Sequence, residues 1–493
     1  MTTTFYYSDG TTSDTTETIL KNTSYKGTDP VSGINTVLTS VDVASTVTSF
    51  DNSCFQNCQV LQTINFSSSS NNLESFGDHC FDSCIALTEL TTPNSVKILG
   101  AYCFYNCGSL SNANIGNNIN ITVLPEYCFA ECLLTETSSM KIIPVNVTQL
   151  AEGCFKDAFL VKSLTIPSSV TSFGDYCFCG TYMQSSLSLT IPSSVISFGD
   201  YCFSQTQIKS ITFADDANIK SFGKYCFSEN HTTLTSMTIP SSVTSLGEYC
   251  FSNSTITSIT LPVISLSDYC FHSSKLSSIV FNNSYNISGV DFISFGNYCF
   301  QDSTLSSITI PKEVESLGNY CFIDSNISSV TFESNSKLKS IGYLCFENCS
   351  QLKNITIPNT VEWLGDVCFY ETKLDTLSYL NPANIIVIIF SDTAIALCGP
   401  DPLDVYFYNT PSSDVSGGVY NMLLYPADST PHYIDGEPVQ STDEFSSFLE
   451  NSTSQSCYLL KSIEVTTDLF SACPKQIFAI DRGVTLTREI VVQ

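Results

Sequence analysis

The sequence predicts a solenoid, in which short parallel β-strands of successive repeats stack along one axis. Three observations predict this fold. The dipeptide Cys-Phe recurs fourteen times from Cys54 to Cys368, at intervals of 20 to 29 residues. Each copy follows a short segment that alternates apolar and polar residues. A single copy carries too few apolar groups to close a core, so neighbouring repeats must bury each other's faces.

The shared frame of the repeat is clearest in two copies. Residues 234–251 read LTSMTIPSSVTSLGEYCF, and residues 305–322 read LSSITIPKEVESLGNYCF. The common pattern is L-x-x-I-x-I-P, then V-x-x-L-G-x-Y-C-F, then a short polar turn. Each part of this pattern predicts one element of the repeat.

The first element is a short strand with one buried face. Ile308 and Ile310 alternate with Ser307 and Thr309, which is the period of a half-buried strand. Pro311 then ends the strand because it has no N–H to donate. The V-x-x-L-G stretch predicts a second short extended piece or a turn. The Cys-Phe stretch is too short for a full helix and is predicted to form a single helical turn.

This frame resembles the BspA-like leucine-rich repeats, a class common on the surfaces of protozoan parasites and some bacteria. That class usually has Ala-Phe where this chain has Cys-Phe. The resemblance covers residues 46–376 and implies a leucine-rich-repeat solenoid, displayed on a cell surface or secreted. It also implies a protein ligand, such as a host or matrix protein, and no active site.

The first Cys of each copy is predicted to be a small, buried apolar residue, because the resembling family has Ala there and free Cys packs well in cores. Disulfides and metal binding are the alternatives. Stacked turns rarely offer disulfide geometry, and single thiols about 24 residues apart do not form the ligand pairs of a zinc site. The structural Cys column is Cys177, Cys202, Cys226, Cys250, Cys270, Cys299, Cys321 and Cys345.

A second Cys follows four residues later in five copies, and the other copies mostly have Ser, Thr or Asn in this slot. Small polar groups there can bond to the backbone of the adjacent repeat. The slot is therefore predicted to be a structural ladder. The five cysteines are Cys58, Cys84, Cys107, Cys132 and Cys349.

Two columns of outward Ser and Thr side chains form the candidate binding face. This flat, uncharged face could dock an extended partner, but stacked Ser and Thr also stabilise parallel strands simply by packing. The scaffold role is favoured, because binding faces usually contain aromatic or Arg anchors and these columns have none. The clearest members are Ser210, Thr212, Ser236, Thr238, Ser258, Thr260, Ser307, Thr309, Ser329 and Thr331.

The charge of the chain argues against two classes of partner. With 47 acidic and 19 basic residues, the net charge of −28 opposes binding to nucleic acid or anionic lipid. The longest apolar run covers only residues 385–390, so no membrane insertion is predicted. No secretory signal is visible at the start, so a surface location depends on the resemblance, and the cytoplasm is the alternative.

The repeat divides the chain into three parts. Residues 1–45 are a polar segment that caps the open end of the core. Residues 46–376 are the solenoid, with about fourteen repeats. In residues 377–493 the period fails, and strand-like runs favour a C-terminal cap or a small β-rich domain. The oligomeric state is not predicted.

The sequence favours a non-enzymatic, protein-binding solenoid, which we expect to act in adhesion or host interaction at the surface. An intracellular scaffold for protein–protein interaction is the alternative. No catalytic residue, cofactor or metal is predicted. A few His and acidic residues cluster loosely in the C-terminal region, but they lack any recognisable catalytic or metal-binding spacing: His432, Asp435, Glu437, Asp443 and Glu444.

Overall fold

The computed structural model describes most of residues 1–358 and short pieces beyond them. The gaps within 1–358 are 29–31, 67–71, 112, 116–117, 136–140, 161–163, 184–187, 231–233 and 283–292. The pieces beyond are 360–361, 363–364, 368–369, 372, 376–379, 386–390, 394–398, 432–434 and 437–439. The chain forms two compact units, Met1–Ile256 and Thr257–Gln493.

The first unit is a β-solenoid whose strands are two to six residues long. Its strands are β1 Thr3–Tyr7, β2 Thr12–Thr15, β3 Ile19–Leu20, β4 Leu38–Val43, β5 Ser49–Phe50, β6 Thr63–Phe66, β7 Ser75–Phe76, β8 Ile98–Leu99, β9 Val123–Leu124, β10 Leu133–Leu134, β11 Gln149–Leu150, β12 Phe159–Leu160, β13 Ser172–Phe173, β14 Tyr182–Met183, β15 Ser188–Ile191, β16 Ser197–Phe198, β17 Ser210–Phe213, β18 Ser221–Phe222, β19 Ser236–Thr238 and β20 Ser245–Leu246.

The V-x-x-L-G stretches of the first unit lie in two parallel sheets, in the orders β3-β5-β7-β8 and β9-β11-β13-β16-β18-β20. Neighbouring strands pair in register, as Phe198 does with Phe173 and Phe222. The second residue of each of these strands is buried, so these side chains form a column that points into the core. The structure thereby confirms the predicted solenoid of short parallel strands.

The N-terminal residues cover the first turn of the solenoid. Strand β1 pairs antiparallel with β2 and β4, and β4 pairs parallel with β6. Tyr25 stacks on Phe55 with ring centroids 5.6 Å apart, and its hydroxyl donates to the carbonyl of Cys54 at 2.6 Å. Phe5 packs against Tyr25 with ring centroids 5.4 Å apart. Phe5 and Phe55 are fully buried, and an N-terminal cap at residues 1–45 stays a prediction.

The second unit repeats the same architecture. Its strands are β21 Ser258–Pro262, β22 Ser278–Asn282, β23 Ile293–Phe295, β24 Ser307–Ile310, β25 Val314–Leu317, β26 Ser329–Phe332, β27 Ser340–Ile341, β28 Asn354–Ile357, β29 Trp363–Leu364, β30 Thr376–Tyr379, β31 Ile386–Phe390, β32 Ala394–Cys398, β33 His432–Ile434 and β34 Glu437–Val439. Strands β23-β25-β27-β29 form a parallel sheet, and β31-β32 and β33-β34 are antiparallel pairs.

In the predicted C-terminal region, β31 lies at the apolar run 385–390. The other strand-like runs of that region lie outside the described residues, as do the side chains of its His and acidic cluster. A cap or separate β-rich domain at 377–493 therefore stays a prediction.

The Cys-Phe stretch forms turns in the described residues, and not the single helical turn that its length predicts. The residue before the Cys and the residue three after it have left-handed backbones, as in Tyr201 (φ 56°) and Gln205 (φ 58°). The N–H groups of Tyr201, Phe203 and Gln205 all donate to carbonyls of the next repeat, at 2.8 to 3.0 Å. A helical turn would instead direct these N–H groups into its own hydrogen bonds.

Stacked phenyl rings form the centre of the core. The Phe of each Cys-Phe pair is fully buried, and Phe178, Phe203, Phe227 and Phe251 lie face to face at 5.3 to 5.4 Å. Edge-on rings from the neighbouring sheet, such as Phe198 against Phe203 at 5.3 Å, fill the remaining space. Offset-stacked and edge-to-face pairs are the favourable arrangements of aromatic rings.

The glycine of the V-x-x-L-G stretch allows the backbones of adjacent repeats to approach closely. A Cβ added at Gly223 would lie 2.4 Å from the carbonyl carbon and oxygen of Gly199. We expect Gly223→Ala to lower the free energy of unfolding by about 1–3 kcal/mol, because backbone atoms cannot move aside without breaking the sheet. Urea unfolding monitored by circular dichroism measures this loss.

Gly108→Ala is the matched control, since a Cβ there meets nothing within 4 Å. That variant should stay within about 0.5 kcal/mol of the wild type. Equal stabilities of the two variants would contradict the close approach at Gly223.

Candidate binding surface

The Ser and Thr residues of the hydroxyl columns lie in register on paired parallel strands. In the first unit, Ser188 pairs with Ser210 and Thr190 with Thr212, and the intervening Leu189 is buried. The Ser210 hydroxyl donates to the Ser188 hydroxyl at 2.6 Å, and the two Thr oxygens are 3.1 Å apart. These hydroxyls therefore bond to one another across the strands, which favours a scaffold role.

The second unit has the same columns. Ser307 pairs with Ser329 and Thr309 with Thr331, and the Thr hydroxyl oxygens are 2.9 Å apart. All four side chains are exposed. Beside Ser329 and Thr331 lies an open hollow of about 740 Å³, which Asn354, Thr356 and Thr360 also line.

Four other residues of the candidate binding face differ in the exposure of their side chains. Ser236 and Thr238 on β19 are exposed, whereas Ser258 and Thr260 on β21 are half-buried. Binding by the hydroxyl columns stays a prediction.

The Cys column is entirely inside the core. The twenty cysteines whose side chains the structure describes are all buried, and none of them forms a disulfide. Burial raises the pKa of thiols such as Cys202 and Cys321 well above the ordinary value, because a thiolate there would lose its hydration. Such thiols are protonated and unreactive near neutral pH.

The second Cys slot bonds to the backbone of the preceding repeat. The thiols of Cys84, Cys107 and Cys132 each donate to the carbonyl of a Phe one repeat earlier, at 2.9 to 3.1 Å. The hydroxyl of Thr181 makes the equivalent bond at 2.8 Å. The Thr206 hydroxyl in this slot bonds instead to the carbonyl of Phe203 in its own repeat, at 2.9 Å.

An exposed apolar patch, missed in the sequence, lies on the parallel strands β10, β12 and β14. Leu133, Phe159 and Tyr182 are 37%, 50% and 41% exposed, and the rings of Phe159 and Tyr182 are 5.5 Å apart. Leu134 and Leu160 point into the core beside them. We call Leu133, Phe159 and Tyr182 the apolar patch.

The apolar patch departs from the repeat frame. Its residues all lie five positions after the Cys of a Cys-Phe pair. Ile85 has the same position two repeats before Leu133 and is exposed, but the repeat between them has Gly108 at this position. The following repeats have polar residues there, including Gln207, His231, Thr255, Lys275 and Thr304. Aligning this position across the repeats would have revealed the patch, but only the strand pairing shows that the three side chains are neighbours.

A ladder of stacked tyrosines lies on the turn face, one residue before each Cys. Tyr176, Tyr201, Tyr225 and Tyr249 stack at 4.6 to 4.8 Å with their planes within 5° of parallel. In the second unit, Tyr269, Tyr298 and Tyr320 stack at 4.6 to 4.7 Å. The repeat frame contained this Tyr, but only the left-handed turn places the rings in a column. We call this column the tyrosine ladder.

Carboxylates border the tyrosine ladder in the first unit. The Tyr127 hydroxyl donates to Glu152 at 2.8 Å, and the Tyr105 hydroxyl, on the same turn face, donates to Glu131 at 2.6 Å. Burial and then the bond to Glu152 raise the pKa of Tyr127. The hydrogen bond to Glu131 is the main cause that raises the pKa of Tyr105 to about 12. This part of the surface is therefore aromatic and acidic.

The described His, Cys, Asp and Glu side chains form no metal-binding cluster. No group of three or more of them could hold a metal ion. The His79 ring bonds to Asp82 at 2.8 Å, and Ser83 bonds to the same carboxylate instead of to the imidazole. Within the part of the chain that the structure describes, no helix is long and apolar enough to cross a membrane.

The repeat region matches a family model described as BspA type leucine rich repeat region (6 copies). The matched segments are 34–157, 68–184, 148–277 and 264–395. The chain has no significant match among curated proteins.

Three solved structures that the chain resembles are bacterial proteins. A leucine-rich repeat protein of Bacteroides ovatus is 19% identical, with a TM-score of 0.37, and the match covers 69% of this chain and 97% of that one. A leucine rich cell surface protein of Faecalibacterium prausnitzii is 18% identical, with a TM-score of 0.32 and coverages of 76% and 86%. A leucine-rich repeat protein of Eubacterium ventriosum is 18% identical, with a TM-score of 0.34 and coverages of 70% and 75%. None of them supports the protozoan origin that the resemblance implied.

Proposed function

Since the chain belongs to the BspA-type leucine-rich repeat family, we propose that it is a non-enzymatic, protein-binding solenoid that acts in adhesion or host interaction. The ligand is a host or matrix protein, and the location is the cell surface or the exterior. The resemblance of the Cys-Phe repeat frame is the observation that supports a protozoan source. The observation that carries the proposal is the apolar patch.

The apolar patch has the properties of an interface centre. Aromatic side chains that become fully buried supply most of the binding energy of protein interfaces. Phe159 is half exposed, although the residue beside it in the strand, Leu160, is buried. The hydroxyl columns lack such anchors, and several of their hydroxyls already bond to each other. We therefore propose the apolar patch, and not the hydroxyl face, as the main contact.

The border of the apolar patch suggests the character of the ligand. Glu131 and Asp157 lie two residues before Leu133 and Phe159, and Lys156 forms an ion pair with Asp157. Acidic rims steer basic partners and set the register of the complex. The ligand should thus present an apolar pocket with basic residues beside it.

An intracellular scaffold is the second candidate, and the free thiols favour it. Cysteines without disulfides are typical of reducing compartments, and the twenty cysteines whose side chains the structure describes form none. Surface biotinylation of intact cells separates the two locations. Complete protection of the chain from the label would contradict a surface adhesin.

The proposal is tested with the double variant Phe159→Ser/Tyr182→Thr. We expect it to bind at least about tenfold more weakly to intact host cells and to a panel of purified matrix proteins, because loss of two aromatic anchors costs more than about 1.4 kcal/mol. Binding of fluorescently labelled full-length protein measures the affinity. Failure of the wild type to bind any of these surfaces would contradict adhesion.

Ile196→Thr is the matched control for this experiment. Ile196 is 47% exposed in the same unit but has the polar Thr171 and Lys220 at the equivalent positions of its neighbouring repeats. This variant should bind like the wild type. Equal weakening by the control would show nonspecific adhesion of exposed apolar groups and would rule out the patch as a specific site.

A further inference from the structure

We infer that the open hollow beside Ser329 and Thr331 is a binding site for a pyranose ring of an uncharged saccharide. This site goes beyond the proposed protein contact and does not depend on it, because the apolar patch lies in the first unit and the hollow in the second. The hollow has a volume of about 740 Å³. This volume is within the range of roughly 300–1,000 Å³ that is usual for small-molecule sites.

The hollow lies at a discontinuity between the strands that carry the hydroxyl columns. Strands β24 and β26 form one two-stranded sheet, β28 and β30 form another, and residues of β26 and β28 line the hollow. The connection after β26 is longer than the one after β24. Six positions separate Phe332 from the buried Leu338, whereas four separate Ile310 from the buried Val314. Residues 333–336 of this longer connection also line the hollow.

Hydroxyls and amides make up most of the polar lining. Thr331 and Asn354 are exposed on the strands, and Asn335 is exposed on the connection, where its backbone is left-handed (φ 60°). Hydroxyls and amides both donate and accept hydrogen bonds, as the hydroxyls of a sugar do. The carboxylate of the lining, that of Glu333, accepts a hydrogen bond from the backbone N–H of Lys312 at 3.1 Å. This lining suits an uncharged ligand with many hydroxyls better than an ion.

An aromatic side chain also lines the hollow. Phe332 ends β26 and is half-buried, at the position where β24 and β28 have the fully buried Ile310 and Ile357. Three other repeats have a half-buried phenylalanine at this position, and each of these rings lies 5.6 to 6.4 Å from another phenyl ring: Phe66, Phe213 and Phe281.

Phe332 differs from these three in its surroundings. The V-x-x-L strands on either side of it carry Leu317 and Ile341 in their buried positions, whereas those beside the other three carry at least one Phe. Among the residues that the structure describes, no ring therefore stacks on Phe332. A ligand in the hollow can contact this phenyl group without displacing another aromatic side chain.

A pyranose ring matches both parts of the lining. The C–H bonds of one pyranose face pack on the electron-rich face of an aromatic ring, and the hydroxyls at its edge pair with hydroxyl and amide side chains. An entirely apolar ligand would leave the polar side chains of the hollow unpaired, which costs free energy. An entirely polar ligand would make no use of Phe332.

The test measures the binding of uncharged trisaccharides to the full chain by titration calorimetry and saturation-transfer difference NMR. The probes are maltotriose, mannotriose, galactotriose and triacetylchitotriose. We expect at least one of them to bind with a Kd of about 1 mM or tighter, and saturation to reach mainly the C–H protons of one ring face. Failure of all four to bind at this level would overturn the inference.

Phe332→Ile should weaken the binding of that trisaccharide at least about tenfold, because it removes the aromatic face on which the pyranose packs. Isoleucine is the residue at this position in β24 and β28, so the variant keeps the fold. Phe213→Ile is the matched control, since Phe213 is half-buried at the same position of β17 in the first unit. Unchanged binding by Phe332→Ile, or equal weakening by the control, would contradict the site.

Asn354→Ser tests the polar lining, and salt tests for an ionic ligand. Serine is the residue at this position in β24 and β26, so the variant loses only the amide and should bind at least about threefold more weakly. Unchanged binding by this variant would contradict the polar contact. Sodium chloride at about 0.5 M should leave the affinity unchanged, because salt screens only charges. Loss of binding in salt would show an ionic interaction and overturn the inference.

The apolar-patch variant separates this site from the proposed function. Phe159→Ser/Tyr182→Thr should bind the trisaccharides like the wild type, because its changes lie in the other unit. Weaker trisaccharide binding by this variant would place the sugar at the apolar patch and overturn the inference. Failure of the proposed protein contact and failure of the saccharide site are therefore distinguishable.

Discussion

Raising the pH above about 9 is expected to unfold the protein cooperatively, because its buried thiols cannot ionise inside the fold. Burial raises the pKa of eleven thiols well above their ordinary value of 9.0 and is the largest cause in each. These thiols are Cys54, Cys80, Cys84, Cys107, Cys128, Cys154, Cys177, Cys202, Cys321, Cys345 and Cys368.

The sign of the pH effect follows from the direction of these shifts. Below the ordinary thiol pKa, both the folded and the unfolded chain hold all these protons, and stability does not depend on them. Above it, the unfolded chain ionises and the folded chain does not, so the free energy of unfolding falls as the pH rises. Each thiol contributes about 1.4 kcal/mol for every pH unit, so eleven together exceed a typical total stability of about 5–15 kcal/mol within roughly one to two units.

Far-UV circular dichroism and thiolate absorbance, followed together against pH under reducing conditions, measure this transition. We expect both signals to change together in one steep step. Cys202→Ala should raise the midpoint slightly, since it removes one thiol without adding bulk. Gradual thiolate formation near pH 9, with the circular dichroism unchanged, would show that the thiols are accessible and contradict the buried column.

Phe178→Ala is expected to lower the free energy of unfolding by about 3–5 kcal/mol, the second large effect. Phe178 is fully buried and stacks on Phe155 at 5.4 Å and on Phe203 at 5.3 Å. Phe173 meets its edge at 5.5 Å. The rings above and below are fixed by their own repeats and cannot collapse into the cavity, so the loss includes both burial and packing.

Urea unfolding gives the size of the Phe178→Ala effect, and amide hydrogen exchange gives its position. Because each repeat contacts only its neighbours, protection should fall most in the turns at Cys154, Cys177 and Cys202. Phe159→Ala, at a half-exposed ring of the same unit, should cost far less. Similar losses from the two variants would contradict the stacked phenyl core.

Local composition predicted the first strand of the repeat well. In β24, Ile308 and Ile310 are buried and Ser307 and Thr309 are exposed, as the alternation required. The reason is that a strand with one buried face has a period of two, which is visible within a few residues. The position of the hydroxyl columns follows from the same period.

The conformation of the Cys-Phe turn, and the surface that this turn forms, could not be predicted from the local alternation of residues. Left-handed backbones at residues such as Tyr201 and Gln205 go against the local preference of L-residues. They form because hydrogen bonds to the next repeat and the burial of the Cys and Phe between them outweigh that preference. The tyrosine ladder is a consequence of this conformation and was therefore hidden in the sequence.

The sequence by itself determined that this chain is a solenoid, because a motif repeated fourteen times can bury its apolar groups only by stacking. It also determined which side chains face the core, since period and motif position are local properties. Only the tertiary structure decided which exposed residues become neighbours: the apolar patch joins residues about 25 positions apart. Their adjacency depends on the register of stacked turns, which is set by hydrogen bonds and packing between repeats and not by any single segment.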